Sequence, residues 1–321
     1  MKLSVLVTAY NADKTLKPCL DSLLNQGIDD YEIIVVNDGS SDHTAEIMNE
    51  YEVKYPKIFK MIHQENGGVS VARNSALNAA LGEYVTYVDS DDFVYELSYA
   101  HILKIASQHN SDLVVYDANY ITLEGVESPF RMLNLESGLI SSQQYYLAPP
   151  CPWNKIMRRR LFIENKLSFN EGMIYEDYAL IPNLAQTAKS IYYLAEPLIG
   201  YVLSDNSIMR SASYKAKSVD IIKASQVLLE HCDMKQFSLE VEYVIYEHLL
   251  VNSARYFLAY EQYEVIHQIA DFMKKNFPNW KKNPYIRLTP FKDRFISGLF
   301  IHKKAKLVQC LVSSKRKIRS V

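Results

Sequence analysis

The stretch NGGVSVARNSALNAALGEYVTYVDSDD, residues 66–92, decides the fold. It opens on a glycine break, Asn66-Gly67-Gly68, and runs into a helical stretch from about Val69 to Leu81, which Gly82 is expected to terminate. Tyr84–Val88 then reads as a short buried strand running straight into Asp89-Ser90-Asp91-Asp92. Break, helix, strand and polar strand end, in that order, make one unit of an α/β sheet.

Similar units stand upstream. Leu3–Thr8 is an apolar run, and Leu16, Leu20, Leu23 and Leu24 follow at helical spacing. Glu32–Asn37 is a second strand, closed by Asp38-Gly39-Ser40, with Asp42 placed to cap the next helix. Ile58–His63 is a third. This alternation predicts an α/β fold, a mostly parallel sheet flanked by helices. Such sheets bind ligands at the carboxyl ends of their strands. Three polar clusters lie at such ends: Thr8-Ala9-Tyr10-Asn11, Asn37-Asp38-Gly39 and Asp89-Ser90-Asp91-Asp92.

Downstream come a strand at Leu113–Asn119, a turn at Pro149-Pro150-Cys151-Pro152, then Trp153-Asn154-Lys155. A helix is expected to start near Glu176-Asp177, and Ser190–Leu203 is a β-rich run. Beyond about 215 the chain reads as helices, over 216–231, 238–259 and 262–276. The organisation expected is a catalytic domain over 1–210 and a helical region over 211–321. That region ends in a basic amphipathic tail. Phe291, Phe295 and Leu299 form one stripe, and Leu307, Val308, Leu311 and Val312 another. Residues 292–321 hold nine Lys or Arg against the single acid Asp293, which suits an anionic membrane surface. The other reading is a terminal helix docked on its own domain with solvated charges.

With 48% apolar and 22% charged residues, the chain is an ordinary globular one. The four cysteines form no CxxC pair, which removes zinc knuckles and redox motifs. Neither GxGxxG nor GxxxxGK[ST] occurs, and no apolar run reaches membrane-spanning length. The N-terminal apolar stretch is too short for a signal peptide. The expected location is cytoplasmic, or peripheral on the inner face of the plasma membrane, with no nucleic-acid partner. The 24 Tyr are read chiefly as core and packing residues, with stacking on sugars as the alternative.

Clustered carboxylates at a strand end repel one another unless a cation or hydrogen-bond donors neutralise them. Alone, Asp89-Ser90-Asp91-Asp92 reads equally as a solvated acidic turn. Four motifs together say more: SVLVTAYN (4–11), VVNDGSSDHT (35–44), the stretch at 66–92, and MIYEDY (173–178). In order and spacing they resemble glycosyltransferase family 2, with the GT-A fold.

The resemblance implies roles for matching positions. Thr8, Ala9 and Asn11 would line the base and ribose pocket, and Asp38 would bond the uracil ring. Asn66 and Arg73 would make further base and diphosphate contacts. Asp89, beside Ser90, would reach the ribose, and Asp91 would ligate Mn²⁺ or Mg²⁺. Asp177, in the pair with Glu176, matches the general base of inverting members. Trp153 and Lys155 lie in a segment resembling that at the donor sugar and acceptor cleft. Asp92 is left without a role.

The expected activity is inverting transfer from a UDP-sugar to a hydroxyl of a glycan or lipid-linked saccharide, in surface polysaccharide synthesis. The alternative is an inactive nucleotide-sugar-binding partner in a glycan assembly complex. Residues 216–321 would serve as a dimer interface or an acceptor platform. Arg158-Arg159-Arg160 is read as a solvated run, with a phosphate-bearing acceptor as the second reading. Family members often carry an Arg near Leu203; here the nearest is Arg210.

Overall fold

The computed structural model describes residues 1–203 and 214–318, with side chains as far as Leu311. Arg210, Val312 and the basic residues from Lys315 onward therefore lie outside what is described. The chain forms two compact units, Met1–Ala212 and Ser213–Val321.

The first unit is built on β1 (Leu3–Ala9), β2 (Tyr31–Asp38), β3 (Phe59–Gln64) and β4 (Tyr84–Asp89). These pair in parallel in the order β3-β2-β1-β4. Val5, Leu6 and Val7 of β1 and Ile33 to Val36 of β2 have no exposed surface. Near-continuous apolar strands of this kind are covered on both faces. Helices α1 (Leu16–Ser22), α2 (Thr44–Lys54) and α3 (Val69–Ala79) link them. The register sets Thr8 beside both Val36 and Asp89, and Ala9 beside Asn37. The three polar clusters thus end on one edge.

Beyond β4 the directions mix. Strands β5 (Phe93–Val94), β6 (Leu113–Ile121), β7 (Glu127–Phe130), β8 (Gly138–Ile140), β9 (Lys155–Arg158) and β10 (Ile191–Val202) complete the sheet. The order continues β4-β9-β6-β10-β5, with β7 on β6 and β8 on β10. Short β9 runs antiparallel to both neighbours, while β10 is parallel to β6. The sheet is thus parallel over its first four strands and again between β6 and β10, with the short strands β5, β7, β8 and β9 inserted antiparallel.

Helix α3 ends at Ala79, earlier than expected, and Gly82 is not its terminator. Gly82 lies against β1, where its N–H donates to Ser4 Oγ at 2.8 Å. A Cβ there would stand 2.5 Å from the Ser4 nitrogen. Asp42 does meet the start of α2: its Oδ1 accepts from the N–H of Thr44 at 3.0 Å. Further helices of this unit are α4 (Ser98–Gln108), α5 (Ser142–Tyr146), α6 (Arg160–Glu164) and α7 (Glu176–Leu180).

In the second unit the helices are α8 (Asp220–Glu230), α9 (Met234–Tyr246), α10 (Ala254–Ala259), α11 (Tyr263–Asn276), α12 (Pro284–Leu288), α13 (Phe291–Ile301) and α14 (Ala305–Ile318). A π-helical turn, Glu247–Ser253, joins α9 to α10. Phe237, Ile245, Leu249, Phe257, Ile269 and Met273 are fully buried, and Tyr246 stacks on Trp280 at 5.5 Å. Among the described residues, no helix is long and apolar enough to cross a membrane.

Candidate active site

The loops after β1 and β2 and the break before α3 are knitted into one surface. Asn11, at φ 50°, accepts from the N–H of Ser41 at 2.9 Å, and its own N–H donates to Ser40 Oγ at 3.0 Å. Buried Asp38 accepts at Oδ1 from Gln64 Nε2 (2.7 Å) and the N–H of Gly67 (2.9 Å), and at Oδ2 from the N–H of Gly68 (2.8 Å). A carboxylate has about four acceptor positions, and three are taken here. Gly39, at φ +72°, packs on this break; a Cβ there would lie 2.7 Å from the Asn66 nitrogen. Asn66 is exposed, Thr8 half-buried, and Ala9 buried behind them. Sequence order alone does not reveal that Asp38 organises the glycine break.

The acidic turn is held from two sides. Cys19 Sγ lies 3.6 Å from the Asp89 carbonyl, and Arg73 Nη2 reaches Asp89 Oδ1 at 3.2 Å. The other end of that guanidinium, Nη1, meets Glu176 Oε1 at 2.5 Å. Arg73 also lies over the ring of Phe169, 5.5 Å from its centre. Burial opposes the Arg73 charge, but Asp89, Glu176 and Asp177 together hold the proton more tightly than on an ordinary arginine. Arg73 is expected at the diphosphate; here it cross-links the end of β4 to the start of α7.

Tyr175 takes the left-handed conformation, φ 67°, immediately before α7 and so turns both Glu176 and Asp177 inward. Burial, with the neighbouring Asp177 charge, pushes the Glu176 carboxyl up to about 7 against the pull of Arg73. Burial raises Asp177 as well, with Arg73 and the N–H of Tyr178 opposing. That N–H donates to Asp177 Oδ1 at 2.7 Å. Burial thus favours the protonated form of both carboxyls relative to exposed ones.

Asp91 is raised by burial and then by Asp89. Asp92 is pushed well up by burial and by both neighbours. Its Oδ1 accepts from the N–H of Val202 at 2.8 Å, tying the turn to β10, while its buried Oδ2 finds no partner among the described residues. Asp92 thus gains a structural role. Among the described residues, no three metal-ligating side chains converge as a ready cage. The donor set still fits a hard cation that takes one or two carboxylates and completes its shell with phosphate oxygens and water. Ser90 is half-buried within the turn.

Lys155 is buried behind the proline turn. Its buried Nζ donates to the carbonyls of Pro149 (2.9 Å) and Cys151 (2.7 Å) and to Asn154 Oδ1 (2.6 Å). All three ammonium hydrogens are taken, so it pins the proline turn and offers none to a ligand. Burial lowers its pKa to about 8. Trp153 is buried and stacks on Tyr201 at 5.2 Å, with Phe130 at 6.2 Å. Tyr120 stacks on Phe130 at 4.3 Å.

The pattern described as Glycosyl transferase family 2 matches residues 4–165, half of the chain. The chain belongs to this family. It is 31% identical over 223 residues to the uncharacterized glycosyltransferase YibD of Escherichia coli (strain K12), covering 65% of this chain and 63% of that protein. It is 31% identical over 219 residues to the poly(ribitol-phosphate) beta-glucosyltransferase of Bacillus spizizenii, covering 67% of this chain and 34% of that one. The chain thus spans less than two thirds of the length of either relative. The solved structure of S. aureus TarS 1-349 in complex with UDP-GlcNAc superposes with a TM-score of 0.79 at 22% identity, over 99% of this chain and 92% of that one. The fold is of GT-A type.

Phe169, Tyr201 and Phe130 are neighbours of these residues that the sequence motifs do not include, whereas Asn154 and Tyr175 stand inside quoted motifs. Only the paired strands β6, β7 and β10 bring Tyr201 and Phe130 together. Arg158-Arg159-Arg160 is half-buried and engaged with its own unit. Arg158 bonds Glu83 and Asp112, Arg160 reaches Asp112 Oδ1 at 2.7 Å, and Arg159 Nε donates to the Gly82 carbonyl at 3.1 Å. The aromatic reading also resolves: Tyr87, Tyr99, Tyr116, Tyr145 and Tyr178 are core residues.

Proposed function

We propose that this protein moves a sugar from a UDP-sugar to a hydroxyl of a glycan or lipid-linked saccharide, with inversion, during synthesis of a surface polysaccharide. The observation that carries the reading is the Arg73 link, which fixes the Glu176-Asp177 pair beside the acidic turn at 89–92. The UDP-GlcNAc complex of TarS supports the donor class, and the name of the Bacillus spizizenii relative supports a polymeric surface acceptor.

Thr8, Ala9, Asn11, Asp38 and Asn66 hold base and ribose, and Asp89 with Ser90 contacts the ribose. Asp91 would hold a Mn²⁺ or Mg²⁺ ion, whose charge offsets that developing on the departing diphosphate. The acceptor oxygen attacks the anomeric carbon from the face opposite the diphosphate. As the new C–O bond forms, the hydroxyl proton passes to the Asp177 carboxylate. The bond to the diphosphate breaks, and its electron pair leaves with UDP. A raised carboxylate is a better base than an ordinary one, and positioned general bases contribute about 10²–10⁴-fold. Trp153, stacked on Tyr201, gives the cleft a fixed aromatic wall.

Replacing Asp177 by Asn tests the reading. Transfer should fall by about 10²-fold or more with UDP affinity retained. Unchanged transfer would remove Asp177 as base. A wild-type protein that binds UDP-sugars yet transfers none would favour the inactive binding partner.

A further inference from the structure

The described residues resolve the basic amphipathic tail into an inner and an outer side. The inner side of α13 is Ser297, Phe300 and Ile301, and that of α14 is Ala305 and Val308, all buried. Leu299, expected on one stripe with Phe291 and Phe295, is half-buried. Opposite the inner side, Phe291 is 74% and Phe295 51% exposed, and their rings stack at 6.2 Å. Leu288, at the end of α12, is 85% exposed. Leu307 and Leu311 of α14 are exposed as well.

Clustered aromatic and leucine side chains standing in water mark an interaction surface. The segment that carries them is strongly cationic in sequence, although Glu247 borders Leu288. Residues 281–311 hold eight Lys or Arg and one acid, Asp293. Asp293 is already bonded to Arg255, so it neutralises little of the excess. Arg287, Lys292, Lys304 and Lys306 are exposed, each within three positions of an exposed apolar residue. Apolar residues flanked by cations match the two layers of an anionic bilayer surface, acyl chains below and phosphate headgroups above. A second copy of this face would set like charges against each other, which disfavours a self-association contact.

We infer that Leu288, Phe291 and Phe295 form a wedge that inserts into the headgroup region of an anionic membrane, with Arg287, Lys292, Lys304 and Lys306 on the lipid phosphates. The wedge lies upstream of the final lysines and arginines and does not require them. It stands independently of sugar transfer, because binding is read without any donor.

The experiment is co-sedimentation of the full chain with vesicles of phosphatidylcholine alone and of phosphatidylcholine mixed with phosphatidylglycerol. The protein should bind the mixed vesicles and not the neutral ones, and added salt should weaken binding. F291S/F295S, altered only at exposed positions, should bind about tenfold more weakly or less. Its melting temperature should stay unchanged. In a second measurement, Phe291→Trp should shift its emission to the blue with mixed vesicles and be quenched by brominated acyl chains. No binding to the mixed vesicles, equal binding by F291S/F295S, or a dimer that this variant dissolves would overturn the inference.

Discussion

Arg73 and Glu176 lie 103 residues apart in sequence, yet Nη1 and Oε1 meet at 2.5 Å while Nη2 holds Asp89 at 3.2 Å. One planar guanidinium therefore joins the end of β4 to the start of α7. A lysine carries its charge on one nitrogen and cannot span both carboxylates. Arg73→Lys should lower stability by ~3 kcal/mol in urea unfolding, as expected when a buried pair loses a partner. Transfer should fall further than UDP affinity does.

The pH profile follows from Asp177. Burial raises its pKa, so protonation disables the base at a pH above the ordinary carboxylate value of ~4. The kcat/KM of transfer should fall as pH drops through that raised value. In Asp177→Asn, the residual rate should lose this acid limb. A wild-type limb at the ordinary value would mean that the site does not shift the group.

Stability should carry the sign of Glu176. Its carboxyl titrates at about 7 in the folded chain, against a reference of 4.5. The folded state therefore binds more protons between these values, and stability falls as pH rises through this window. Below it the penalty is absent. Glu176→Gln, which keeps the shape but cannot ionise, should flatten that part of a melting-temperature profile.

Asp38 accepts three hydrogen bonds, two of them from the backbone of Gly67 and Gly68. An asparagine must turn its NH₂ toward one set of these donors, leaving a buried group unsatisfied at a cost of about 1–3 kcal/mol. Asp38→Asn should weaken UDP binding by about tenfold in titration calorimetry. Retained affinity would separate the glycine break from the nucleotide site.

The four parallel strands were readable because each is a short apolar run closed by polar or glycine residues, and their shared edge follows from topology. Asp38, Asp89 and Asp177 stand in recognisable motifs. What such motifs do not carry is direction and partner. Nothing in WNK tells that the Lys155 ammonium turns inward to the proline turn. Nothing around Phe169 announces its contact with Arg73, since the two meet only after the chain has folded. Arg158 and Arg160 looked like a solvated run because Asp112, their partner, lies more than forty positions away. The short antiparallel β9 defied the alternation rule, which describes crossovers and not inserted strands.

Proton acceptance by Asp177 in a metal-assisted sugar transfer is tested by UDP release from a panel of UDP-sugars with Mn²⁺ and a saccharide acceptor, for wild type and Asp177→Asn side by side. The wild type should release UDP in an acceptor-dependent way with at least one donor, and the variant should bind UDP without release. Equal release by both proteins, or none by the wild type with any UDP-sugar, would contradict it.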